Sequence, residues 1–297
     1  MSMKKIAGII PPIPTPFVNG KLAPEKLADN IEKWCRTGIS GILVLGSNGE
    51  YVYLSEAEKR EVVSVAVETM PADKILMVGS GCESTAETIR STNDYARLGA
   101  QAALVVTPSY YAGRMTPEAL EAHYTAVADA ADLPILLYNV PKFTGININS
   151  ETAGRLASHD NIVGIKDSSG NVAQLGEILN RTGREFFSVL VGTAGALYPA
   201  LTMGSAGGVL ALSNIAPGEC IEIQAMTDQG RHEDAKQLYL RMLPVNTAVT
   251  ATYGIPGLKA ALDMLGYYGG DPRLPLQPLN ETGKQEVAGI LDSAGLL

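Results

Sequence analysis

At 297 residues the chain exceeds the usual length of one domain, although single α/β barrels commonly reach this size. Hydrophobic residues make up 46% and charged residues 18%, enough apolar material for a large core, which excludes a disordered chain. A formal net charge of -8 without any basic cluster excludes a nucleic-acid partner, which needs a basic face to neutralise phosphates.

The amino terminus carries Lys4 and Lys5 but soon meets Pro11, Pro12, Pro14 and Pro16 instead of the apolar core of a signal peptide. No apolar run approaches membrane-spanning length. Cys35, Cys82 and Cys220 are far apart, cannot all pair with one another, and lack metal-ligand spacing. These features point to a soluble cytoplasmic protein in a reducing compartment, with no membrane partner.

In chain order, Ile6 to Ile10 reads as a first strand, ended by the prolines, which donate no ladder hydrogen bond. A helix follows, with Pro24 in its first turn, Leu27, Ile31, Trp34 and Cys35 at helical spacing, and Gly38 as its stop. Uninterrupted apolar runs then recur at 41–45, 75–78, 103–106, 135–138, 162–165, 188–191 and 208–212, the pattern of strands buried on both faces. Helix starts lie between them: Ser55 with Glu58, Ser84 with Glu87, Thr116 before Pro117, and Asn171 with Gln174. Strand and helix alternating about eight times imply parallel pairing, closed most naturally as a (β/α)₈ TIM barrel. A doubly wound dinucleotide fold is disfavoured, because Gly79 and Gly81 begin a fingerprint that Ser84 breaks. Beyond Asn214 only helices are expected. The barrel is placed over 1–225 and a C-terminal helical extension of the same domain over 226–297.

Barrel chemistry sits at the carboxyl ends of the strands. Lys166 ends the sixth apolar run, where lost hydration disfavours an ammonium and makes a free amine available to attack a ketone. The alternative for Lys166 is a strand-end side chain that reaches solvent or pairs with Asp167. Tyr138 ends the neighbouring strand and reads either as a proton carrier or as a packing tyrosine. Gly46-Ser47-Asn48-Gly49 offers short polar side chains and backbone N–H groups, which suit a carboxylate but equally suit an ordinary strand-to-helix turn. Tyr110 and Tyr111 read as site residues or as an interface. His123, His159 and His232 fall on or beside helices and read as structural, and no metal-ligand cluster is evident.

Four motifs in order then carry a resemblance over nearly the whole chain: Gly46-Ser47-Asn48-Gly49-Glu50, Val106-Thr107-Pro108 with Tyr110-Tyr111, Tyr138-Asn139-Val140-Pro141, and Gly164-Ile165-Lys166-Asp167. The sequence resembles the dihydrodipicolinate synthase and N-acetylneuraminate lyase family of class I pyruvate aldolases. That resemblance implies a barrel with added C-terminal helices, assembled as a homotetramer, that makes or breaks a C–C bond to pyruvate through a lysine imine without any cofactor. It assigns Lys166 as the Schiff-base lysine, Tyr138 as the proton shuttle and Tyr111 as a tyrosine lent across an interface. By the same resemblance Ser47 and Asn48 bind the pyruvate carboxylate, while Ser168 and Leu210 line the substrate pocket.

Two departures separate the branches. Phe143 stands where the synthase branch has the arginine that binds the aldehyde's carboxylate, and a phenyl ring cannot replace a guanidinium. Thr193-Ala194-Gly195 stands where sialate lyases carry acidic residues. Similarity at 46–50, 79–85 and 266–270 leans to the 4-hydroxy-2-oxoglutarate aldolase branch. The expected substrate is therefore 4-hydroxy-2-oxoglutarate or a similar 4-hydroxy-2-keto acid. The alternatives are 4-hydroxy-tetrahydrodipicolinate synthase, another 2-keto-3-deoxy sugar acid lyase, or a non-catalytic keto-acid sensor.

Overall fold

The computed structural model describes residues 5–183 and 186–297, so Met1 to Lys4 of the amino-terminal reading lie outside the described residues. Eight strands form one sheet: β1 (Gly8–Ile10), β2 (Gly41–Val44), β3 (Ile75–Gly79), β4 (Ala102–Val106), β5 (Ile135–Asn139), β6 (Ile162–Asp167), β7 (Ser188–Val191) and β8 (Gly207–Val209). Every residue of β2, β5, β6 and β7 is buried, as their unbroken apolar runs require of strands covered on both faces. From β2 to β8 each strand lies beside its successor in the chain, and β1 lies beside β8.

The proline segment closes the ring. Leu43 N–H donates to Pro11 O and Ile13 N–H to Leu43 O, each at 2.9 Å, and Ser40 N–H reaches Ile9 O at 2.9 Å. Prolines that cannot donate thus still accept, and β1 joins β2 without forming a longer ladder. The result is a (β/α)₈ barrel with surrounding helices.

Helices begin where local chemistry predicts. Ser55 and Glu58 complete a reciprocal capping box, Ser84 and Thr116 accept from the residue three ahead, and Asn171 does the same for Gln174. Two local differences from expectation have clear causes. Phe17–Val18 and Lys21–Leu22 form a small hairpin, whose turn residues Asn19 and Gly20 have φ of 50° and 73°, the left-handed pair that favours Asn-Gly. The run expected as a strand over 208–212 leaves the sheet after Val209, because Ser213 turns back with both its N–H and its hydroxyl onto Leu210 O.

By contacts the chain sorts into two compact units, the first comprising the residues up to Gly8 with Met77–Gly208 and the second Ile9–Leu76 with Val209–Leu297. This division crosses the chain-order boundary near residue 225. Inside the second unit the C-terminal helices lie with the early elements: Asn30 exchanges two hydrogen bonds with the Tyr268 backbone, and Trp34 donates to Asn214 O at 2.9 Å while stacking on Tyr267. Pro244 lies inside the helix His232–Thr247, where it leaves one carbonyl without its bond, and the following turn over Ala248–Thr252 is a π-helix.

Candidate active site

In the first unit β5 and β6 place two expected site residues together. Tyr138 and Lys166 are register partners, so their side chains leave the sheet on the same face. Lys166 is 3% exposed, and its Nζ sits 4.2 Å from the centroid of the Tyr138 ring. An aromatic face attracts a cation there and leaves the nitrogen's direct polar contacts open. Among the described residues Lys166 forms no salt bridge.

Asp167 and Asn139, the next register pair, project from the opposite face. One Asp167 oxygen accepts from Asn139 Nδ2 at 3.0 Å and Gln174 Nε2 at 2.9 Å, while the other accepts from the Ser169 N–H at 2.8 Å and from the Ser169 hydroxyl. Asn147 ties Asn139 to Gln174, and Asn139 Oδ1 receives the Ile148 N–H. The carboxylate is thus saturated by neutral donors.

Ser168 follows the strand, pinned by its N–H to Asn139 O at 2.8 Å. Its hydroxyl is buried and has no hydrogen-bond partner among the described residues. A buried hydroxyl left unpartnered is costly unless a bound group satisfies it, which suits the pocket role expected for Ser168. Gly192 makes the room, since a Cβ there would lie 1.7 Å from Ser168 Oγ.

Tyr111 and Tyr110 are 70% and 79% exposed and meet edge to face. Glu83 holds their loop by accepting from the Ser109 and Tyr110 N–H groups at 2.9 and 2.8 Å. Phe143, in the short helix Pro141–Thr144, is 64% exposed beside Lys142. His123 is buried with Nδ1 against the Thr85 hydroxyl, and burial pushes its pKa down. His159 bonds Asp129, and His232 starts a helix. None of these histidines stands at a strand end.

The second unit contains Ser47, Asn48 and Leu210. Ser47–Gly49 is a single 3₁₀ turn after β2, flanked by Leu45 and Glu50 at φ of 57° and 54°. Thr15 Oγ1 donates to Gly49 O at 2.7 Å, and Asn48 Nδ2 reaches Pro12 O at 3.4 Å. Leu210 is fully buried and donates its N–H to Ile10 O. Sequence reasoning missed the partners of Glu50, which are Lys259 and Arg273. Among the described residues no group of three or more His, Cys, Asp or Glu is placed to hold a metal ion, and no helix is long and apolar enough to cross a membrane.

A parallel barrel with a buried lysine against a tyrosine on adjacent strands describes an enzyme scaffold able to act through an amine. Residues 5–294 match the dihydrodipicolinate synthetase family. The 4-hydroxy-tetrahydrodipicolinate synthase of Syntrophus aciditrophicus (strain SB) is 35% identical over 290 residues, covering 98% of this chain and 99% of that protein. Among solved structures, dihydrodipicolinate synthase from Thermotoga maritima superposes with a TM-score of 0.94 at 32% identity, covering 99% of this chain and all of that one. The Acinetobacter baumannii dihydrodipicolinate synthase complexed with pyruvate gives 0.93 at 32% identity, with coverage of 99% and 100%. The chain belongs to the dihydrodipicolinate synthetase family. It is accordingly a pyruvate-dependent carbon–carbon lyase or synthase of the class I aldolase type.

Proposed function

We propose that Lys166 is the imine-forming residue of this enzyme, a reading carried by its burial against Tyr138 without a counter-ion among the described residues. The free amine adds to the ketone carbon of pyruvate, water leaves, and the protonated imine becomes the electron sink. In the condensing direction a proton leaves the methyl carbon to give an enamine, which attacks the acceptor aldehyde. In cleavage the C–C bond electrons flow into the same imine. Tyr138 carries protons between these steps, Ser47 and Asn48 hold the carboxylate, and Ser168 and Leu210 line the pocket. The scheme calls for no metal or organic cofactor.

The synthase names of the relatives favour condensation of pyruvate with a carboxylate-bearing aldehyde. A second reading is cleavage of 4-hydroxy-2-oxoglutarate or a similar 4-hydroxy-2-keto acid, to which the sequence at 46–50, 79–85 and 266–270 leans. In both readings a distal carboxylate needs a donor, and Phe143, at the position of the synthase arginine, offers none. The working assembly in either reading is a cytoplasmic homotetramer, with Tyr111 lent to a neighbouring subunit's site. The exposure of the Tyr110–Tyr111 pair supports this arrangement.

Borohydride added with pyruvate tests the imine by whole-chain mass. The wild type should gain a permanent adduct, and Lys166→Arg, which keeps the charge without a free amine, should gain none. Trapping that persisted in Lys166→Arg would move the nucleophile elsewhere. Assaying pyruvate release from 4-hydroxy-2-oxoglutarate beside pyruvate consumption with the aldehyde separates the two readings.

A further inference from the structure

The turn bearing Ser47 and Asn48 has a disfavoured backbone. Leu45 and Glu50, neither of them glycine, flank it in the left-handed region. Such a conformation persists only where the surroundings over-determine it. Here the surroundings are ionic and dry. Glu50 is 1% exposed, with Oε2 accepting the Arg273 N–H at 2.8 Å and Oε1 lying 2.7 Å from Lys259 Nζ. The Lys259 contact falls outside hydrogen-bond geometry at Oε1, so charge holds it.

Lys259 comes from the helix Gly254–Met264 and is itself 1% exposed. Its ammonium donates to Thr15 O at 2.9 Å and Asp271 O at 3.1 Å, and it lies 4.5 Å from the Phe17 ring centroid. Two carbonyls accept from the ammonium and a carboxylate lies against it, in a place closed to solvent and so to a substrate. Thr15 completes the circuit, since its carbonyl receives Lys259 while its hydroxyl holds Gly49 O. A buried ion pair is often no more stabilising than apolar residues of the same volume. Stability alone is therefore a weak account of a pair placed at a strained turn.

We infer that the Lys259–Glu50 pair is a positioning device that holds the Ser47–Asn48 turn in the conformation able to receive a substrate carboxylate. The inference rests on the reading of that turn given above. It also gives the C-terminal helices a part in substrate binding, although Lys259 and Glu50 touch no substrate.

The test reads the pyruvate half-saturation of borohydride trapping, the maximal trapping rate and the melting temperature. Glu50→Gln keeps the shape and removes one charge, while Glu50→Gln/Lys259→Met removes both and leaves no unpaired ion. Both should raise the half-saturation about tenfold while changing the maximal rate less than about threefold, as expected when orientation in the ground state is lost. Ser47→Ala, measured in parallel, should raise it as well. If Ser47→Ala raises the half-saturation but the paired variants stay within about twofold of wild type, whatever their melting temperatures, the positioning role is overturned and the carboxylate reading stands. If Ser47→Ala changes nothing, the carboxylate reading falls and the inference with it. Should both paired variants fail to fold, Thr15→Val removes only the hydroxyl bond to Gly49, and an unchanged half-saturation there overturns the inference equally.

Discussion

Lys166 and Asp167 are neighbours in sequence, yet the carboxylate of Asp167 is directed to Asn139, Gln174 and Ser169 on the far side of the strand. Alternation along β6 separates a saturated acid from a lysine that has no counter-ion among the described residues. Asp167→Ala should strand several buried donors and cost about 3 kcal/mol of stability, read by urea unfolding. A loss below about 1 kcal/mol would show that water or relaxation replaces the carboxylate.

Tyr138→Phe removes one hydroxyl and keeps the ring beneath the ammonium. Turnover should fall by roughly a hundredfold or more, while pyruvate is still trapped on Lys166. Near wild-type turnover with trapping intact would assign the proton to another group and return Tyr138 to packing.

Gly192→Ala would drive a methyl group into Ser168, whose Oγ and Cβ would lie 1.7 and 2.8 Å from it. Overpacking of this kind costs about 1–3 kcal/mol and should displace the Ser168 hydroxyl. A raised KM for the keto acid together with lower urea resistance is the expected outcome. Unaltered kinetics would remove Ser168 from the pocket.

Glu58 links acid stability to the capping of one helix. Arg273 bonds both its oxygens, and together with the Ser55 backbone N–H it holds the carboxyl at about 2 against an ordinary 4.5. Because the folded value lies below the unfolded one, the stabilisation is full above about pH 4.5 and is lost as pH falls through about 2. Melting curves should show the wild type losing its advantage over Glu58→Gln across that window. A constant difference from pH 6 to pH 2 would contradict the linkage.

The barrel was legible because its strands are covered on both faces and therefore spell unbroken apolar runs, and a lysine ending such a run stands out. Caps at Ser55, Ser84, Thr116 and Asn171 were equally readable, being local. The Asn19-Gly20 hairpin was also local but lay in a segment dominated by its prolines. What holds the Ser47–Asn48 turn was not readable. Arg273 and Glu50 are 223 residues apart, and Lys259 and Thr15 are 244 apart. Within its own helix Lys259 looks like any solvated cation, since no pattern in one sequence links it to a glutamate on a distant turn. The acceptor half of the substrate stayed open for a different reason: Phe143 shows which donor is missing, not which group replaces it.

The second unit is built from two segments far apart in sequence, Ile9–Leu76 and Val209–Leu297, whereas most of the first is one continuous stretch. Synthesis proceeds from the amino terminus, so the early segment emerges long before its packing partners exist. Lys259 and Arg273 reach the nascent Glu50 and Glu58 only after all of the intervening chain has been made. Contacts of such wide separation make folding slow, and they leave apolar strands uncovered in the interval. Residues 77–208 can condense during that time, while the half-made turn at Ser47 waits for a tail still on the ribosome. Nonsense or frameshift changes ahead of the Lys259 codon should therefore yield aggregates rather than a shortened barrel.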